Sequence, residues 1–238
     1  MSAPEWHKAI QAALKSNPKS TTFQLATWDA ALSRPRVRSH VFRAFVTPTD
    51  APHLPIVLST VDIRTPKVAQ ISANNKVELT WWIEGTKEQF RIGGTARIVP
   101  HPGHASGLHE KFLDAVKQAP AGSALAALAK EKIDWEAKRV ETFTSMSPGM
   151  KASWCRPTPG SPLSSHPNAP PESWPSAIKD LEDGDEENRK HWEVALSNFA
   201  LLLVEPEDVD YVELGASPDR RTMYKCVDGK WESTPVVP

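Results

Sequence analysis

Between Ser59 and Ile71 the chain reads Ser-Thr-Val-Asp-Ile-Arg-Thr-Pro-Lys-Val-Ala-Gln-Ile, a strand that runs into a helix whose first turn can hold a phosphate. Thr65 suits an N-cap, Pro66 suits the first helical position, and Lys67 sets a cation beside free backbone N–H groups. A helix start offers unpaired donors and a partial positive charge, so a phosphomonoester is a natural ligand for it. The same spacing also describes an ordinary capped helix with a solvated lysine. Arg34, Arg36, Arg38 and Arg43 fall in a stretch with no acid between Asp29 and Asp50. A strand so charged either faces water as a basic edge or meets an anion, because an unpaired buried guanidinium is costly. Strand alternation puts Arg38 and Arg43 on opposite faces, so a shared ligand would need a bulge or a subunit boundary. Gln89 opens the run Gln-Phe-Arg-Ile-Gly-Gly. Its amide both donates and accepts, which suits a heterocycle or a sugar hydroxyl, and Gly93-Gly94 admits a close backbone or a flat ligand. Trp81 and Trp82 are adjacent and point to opposite faces, one of them into the core. Near the C-terminus, Asp219-Arg220-Arg221 precedes Tyr224 and Trp231; these arginines are ligand groups or routine surface charge.

No nucleophile motif, credible Cys/His pair or paired-carboxylate motif occurs outside one acidic stretch, so catalysis here would rest on a cofactor. The 238 residues are 39% hydrophobic, enough for a sizeable core. A formal net charge of -1 gives no global field toward nucleic acid or an anionic membrane, and neither partner is expected. Cys155 and Cys226 are too few and too isolated for a disulfide framework or a thiolate site, and the eight histidines show no metal-ligand spacing, so no metal is expected. The interleaved charges of Met1 to Ala13 read as neither a signal peptide nor a span, and a cytoplasmic protein is the expectation.

The elements that must position these groups follow from periodicity. Trp6, Ile10, Ala13 and Leu14 form one amphipathic helix that stops at Asn17-Pro18. Strands are predicted over Thr21–Thr27, Arg36–Val46, Leu54–Ser59, Val77–Ile83 and Gln89–Val99, with a helix from Pro66 to Ser72. Connections this short favour an antiparallel barrel over a doubly wound sheet. A helical insertion is expected at about 104–145, followed by a Pro-rich and acidic loop at about 156–190 that is peripheral and extended or mobile. Phe199–Val204 and Val209–Leu214 resume the sheet, and Arg221–Val227 with Lys230–Thr234 closes it as a hairpin around Asp228-Gly229. The whole reads as one domain, residues 1–238, mainly β with added helices.

Taken in order, Arg38-Ser-His-Val-Phe-Arg43, Thr60-Val-Asp-Ile-Arg-Thr-Pro-Lys67, Trp82 with Glu88-Gln-Phe-Arg-Ile-Gly-Gly94, and Arg220-Arg221 with Trp231 resemble the FMN-binding split-barrel family of pyridoxamine phosphate oxidase. The resemblance covers Trp6 to about Val99 and returns from Phe199 to Pro238. It implies a six-stranded antiparallel split β-barrel, a homodimer, and FMN at the subunit boundary. By that analogy the cofactor contacts are Arg38, Arg43, Thr60, Arg64, Thr65, Lys67, Gln89 and Arg221, the last reaching FMN bound mainly by the other subunit. Ser217 and Asp219 replace the Arg-x-His with which the oxidase proper grips its substrate phosphate, and Asp219 would repel that group. The resemblance therefore implies an FMN-dependent oxidoreductase acting on a small molecule that the sequence does not identify. The alternatives are a true pyridoxamine/pyridoxine phosphate oxidase and a non-catalytic flavin-binding or protein-interaction module.

Overall fold

In strand β7 (Phe199–Glu213) alternate residues of the first half enter two different cores. Ala200, Leu202 and Val204 join one, while Phe199, Leu201 and Leu203 join the other. A strand covered on both faces does not need polar alternation, which explains the unbroken apolar run of the sequence. The computed structural model describes residues 1–182 and 184–238.

All strand pairs are antiparallel. The sheet runs β2 (Arg34–Val41), β1 (Thr22–Asp29), β5 (Lys76–Ile83), β6 (Glu88–Val99), β7, β4 (Ile56–Asp62), β3 (Ala44–Val46). The hairpin of β8 (Arg220–Val227) and β9 (Lys230–Val236) branches off the second half of β7. The expected single strand Arg36–Val46 breaks at Phe42 and Arg43. The Phe42 N–H donates to Thr21 on the β1 side, whereas the Arg43 N–H donates to Leu58 of β4. With β2 and β3 taken as one broken strand, six strands make the barrel; no ladder joins β2 to β4, so the sheet stays split rather than closed. The two strands expected over 199–214 are the single β7, which shifts register against β6 at Gly93/Gly94. A Cβ on Gly94 would stand 2.2 Å from the Glu205 carbonyl, so the glycine pair serves close strand approach.

Inside the barrel, Phe23, Leu25, Leu79, Trp81, Phe90 and Ile92 form the first core. Helix α1 (Glu5–Ser16) packs Trp6, Ile10 and Ala13 on it, and helix α2 (Pro66–Ala73) adds Val68 and Ile71. Over the outer face of β4, β6 and β7 lie α3 (Leu108–Lys117), α4 (Ala124–Lys130), α5 (Trp135–Thr144), α6 (Pro148–Ala152) and α7 (Glu186–Asn198), which enclose the second core. The insertion thus runs beyond the expected residue 145. The acidic stretch is shorter as a loop than expected: Asp185 caps α7 by accepting from the Asn188 N–H at 2.8 Å, and Glu186 and Glu187 occupy its first turn. Negative charge at a helix N-terminus is favourable, so the acids start a helix there. Asp183 of the run lies outside the described residues. The Pro-rich part is also less peripheral than expected, because Ile178 is fully buried and Asp180 pairs with the buried Lys151 at 2.6 Å.

Two buried histidines make the fold acid-sensitive. Burial pushes His7 down to about 4, and burial with the nearby Lys67 and Arg38 charges pushes His40 down to about 3, from an ordinary 6.5. The folded chain keeps both rings neutral, whereas the unfolded chain protonates them below about 6.5. Their contribution is full above that value and is lost as pH falls toward 3–4. Urea midpoints are therefore expected to drop between pH 7 and pH 5; equal midpoints would contradict this account.

Candidate functional site

The site begins where β4 ends. Its last residue, Asp62, accepts the Thr65 hydroxyl and backbone N–H through its carbonyl, and α2 starts at Pro66. Thr65 thus turns its hydroxyl back on Asp62 and makes no side-chain cap bond of the expected kind. Lys67 reaches the same hydroxyl at 3.3 Å. Burial first, then repulsion from Arg38, lowers the Lys67 pKa, with Asp62 partly opposing.

Arg38 projects from β2 toward α2. Its guanidinium donates to Thr27 Oγ1 at 2.6 Å, Gln70 Oε1 at 2.8 Å and the Leu25 carbonyl at 3.3 Å. All three acceptors are neutral; the carboxylate of Asp29 lies one step away, where it accepts from the Gln70 amide at 2.9 Å. Burial, followed by Arg36, lowers the Arg38 pKa. Arg43 faces the other side of the sheet, where one Nη contacts Thr60 Oγ1 at 3.5 Å and the Met150 thioether at 2.8 Å. Its Nε is buried without a partner. Between the two arginines sits His40, with Nδ1 at 3.2 Å from Ser59 Oγ and its ring within electrostatic reach of Lys67 and Arg38.

Among the described residues no carboxylate comes within ion-pair distance of Arg38, Arg43 or Lys67. Three partly desolvated cations with neutral neighbours are stable chiefly if an anion completes them. The residues present therefore fit a phosphate.

The other expected contacts lie elsewhere. Arg64 departs from its expected role: its guanidinium grips Asp62 at 2.9 and 2.6 Å and donates to the carbonyls of Arg156 and Trp154. Arg221 is held by Asp210 at 2.9 and 2.8 Å, which raises its pKa, and Arg91 shares the same carboxylate at 2.5 Å. Gln89 pairs with Trp82 on one side and Val212 on the other, and Val212 pairs with Arg221, so these residues form one row across β5, β6, β7 and β8. Trp81 is fully buried and Trp82 turns outward, as alternation predicts, which places Gln89 on the outer face. Arg38, opposite the buried Leu25, is on the inner face. Within a single chain Arg38 and the Gln89–Arg221 row thus lie on opposite faces of the sheet.

Gln70, Thr27, His40 and Met150 escaped the sequence reading. Gln70 could have been found, since it follows Lys67 by three residues on the same helix and so shares its face. Met150 could not, because it comes from a distant insertion.

Other chemistry has little support. No group of three or more His, Cys, Asp or Glu suited to a metal occurs among the described residues. Burial pushes the Cys155 thiol up to about 11, away from a reactive thiolate. A cavity of about 440 Å³ beside Leu54 and Trp231 has most of its lining charges already paired, Lys76 with Glu207 and Arg97 with Glu205. Among the described residues no helix is long and apolar enough to cross a membrane.

Residues 3–100 match the family model for the pyridoxamine 5'-phosphate oxidase FMN-binding domain. The chain is 26% identical over 212 residues to pyridoxine/pyridoxamine 5'-phosphate oxidase 2 of Arabidopsis thaliana, covering 88% of this chain and 83% of the relative. A pyridoxamine 5'-phosphate oxidase-related, FMN-binding protein of Nostoc punctiforme superposes with a TM-score of 0.67 at 24% identity, covering 100% of this chain and 99% of the other. PhzG of Burkholderia lata, solved with tetrahydrophenazine-1-carboxylic acid, gives 0.57 at 15% identity over 100% and 94% of the two chains. The resemblance read from the motifs is borne out: residues 3–100 carry the FMN-binding domain match of pyridoxamine 5'-phosphate oxidase, and the chain has the split-barrel fold of proteins related to that oxidase.

Proposed function

We propose that the protein binds FMN and acts as an oxidoreductase, with the FMN phosphate seated among Arg38, Thr65 and Lys67. The observation that carries this reading is the approach of two partly desolvated cations, Arg38 and Lys67, at the start of α2, with no carboxylate of the described residues in ion-pair distance of either. Thr60 orients Arg43. Gln89 and Arg221, on the outer face, reach the cofactor from a second copy of the chain, so the working unit is a homodimer with two equivalent sites. Bound FMN would supply hydride or electron transfer, and the chain's own groups would bind it, orient it and exclude water.

The visible absorption spectrum of the purified protein, before and after adding FMN, tests the reading together with its mass in solution. A flavin spectrum retained through gel filtration by a dimer is expected; a monomer that releases all added flavin would overturn it. The similarity to the plant oxidase supports a second reading, oxidation of pyridoxamine phosphate. Hydrogen peroxide and pyridoxal phosphate should then form when that substrate is added to the flavin-loaded protein. Asp219 argues for no turnover.

A further inference from the structure

Arg64 stands one residue before the helix cap, yet its donors all point into the protein. Its backbone N–H and Nε both donate to Asp62 Oδ1 at 2.9 Å, and Nη2 donates to Oδ2 at 2.6 Å. The two Nη groups also donate to the carbonyls of Arg156, at 2.9 Å, and Trp154, at 3.2 Å. Only a planar fork with five N–H groups can satisfy one carboxylate and two diverging carbonyls together. Trp154 and Arg156 end the helical insertion, and the Pro-rich segment begins after them. The same end is held from two other directions. Asn198 donates to the Trp154 carbonyl at 2.9 Å while its own carbonyl receives the Ile63 N–H, and Arg43 contacts Met150 at 2.8 Å. Trp154 itself is buried against Phe199, with ring centroids 5.2 Å apart. Asp62, the carboxylate in this grip, also bears the carbonyl that fixes Thr65.

We infer that Arg64 is a positioning residue that locks the helical insertion onto the turn Asp62–Lys67, so that flavin affinity depends on an insertion that need not touch the flavin. The inference rests on the FMN reading above and extends it to a segment far away in sequence. Coupling of this kind is reciprocal: bound FMN steadies residues 150–156, and loosening those residues weakens FMN.

The test compares wild-type protein with Arg64→Ala and Arg64→Lys by FMN titration over a range of salt concentrations, and by hydrogen exchange of residues 150–156 without flavin. Both variants are expected to weaken FMN ~10-fold, the scale of a lost charged hydrogen bond, because lysine cannot reproduce the fork. The slope of affinity against salt should stay that of wild type, since no charge facing the phosphate is removed. Exchange at 150–156 should quicken in both variants. Wild-type affinity in Arg64→Lys, or a flattened salt slope in Arg64→Ala, would instead make Arg64 a direct phosphate contact and overturn the inference. Unchanged exchange would overturn it while leaving the FMN reading intact; failure of wild-type protein to bind FMN would overturn both. If Arg64→Ala does not fold, Arg64→Lys carries the same outcomes.

Discussion

Replacing Lys67 by alanine is expected to weaken FMN by about 1.5–3 kcal/mol, roughly 10- to 150-fold in Kd, the range for a hydrogen bond to a charged partner. Lys67 lies in the first turn of α2, and among the described residues its one side-chain bond is a 3.3 Å contact with Thr65. Little folding energy is invested in it, because burial and Arg38 both disfavour its charge. The substitution should therefore separate binding from stability: a large loss in a fluorescence titration of FMN, and a thermal midpoint close to wild type. Since Lys67 titrates below its usual range, affinity should also fall at alkaline pH sooner than for a solvated lysine. Replacing Glu186, an exposed acid in the first turn of α7, should leave affinity unchanged. Equal affinity in Lys67→Ala and wild type would count against the phosphate seat.

The largest loss of stability is expected at Arg139, which has no exposed surface. Its Nε and Nη2 meet Glu136 at 2.7 and 2.8 Å, while Nη1 donates to the carbonyls of Leu196 and Phe199 at 2.6 and 2.9 Å. These carbonyls belong to the last turn of α7 and the first residue of β7, so the side chain ties the helical layer to the sheet. Arg139→Ala strips both carbonyls and leaves Glu136 unpaired, at a cost of about 3–5 kcal/mol. Arg139→Met keeps much of the volume and should recover part of that loss. Urea unfolding of the three proteins measures the difference; a change below about 1 kcal/mol in Arg139→Ala would show that the network is dispensable.

Much of the barrel was legible because its signals are local. Alternation marks β1 and β5, Pro66 and Thr65 mark the start of α2, and Asp228-Gly229 marks the last turn. Phe42 and Arg43 were misread as mid-strand, since the change of partner from β1 to β4 depends on the distant Leu58. Phe42 serves that break by packing on Phe45 and Trp81, with centroids 4.9 Å away in each case. The join of Val204 to Val209 was hidden for a similar reason: the two flanking runs read as separate strands, but the irregularity between them is absorbed against Gly93 and Gly94. In the site, Arg38 and Lys67 could be picked out by residue type. The neutral partners of Arg38, Gln70 and Thr27, carry no charge pattern and become visible only when α2 lies against β1 and β2. Arg64 shows the converse, since a cation in the right place has its donors claimed by backbone about 90 residues later.

The dependence of β4 and β6 on β7 has a consequence for synthesis. β4 finds all its β7 partners only once Val204 is made and β6 only once Glu213 is made, in each case more than a hundred residues beyond the strand's own end. At ~5–20 residues per second a growing chain holds these apolar edges open for on the order of ten seconds. During that interval Ile56, Leu58 and Val99, later covered by the helical layer, face solvent or a chaperone rather than their native neighbours.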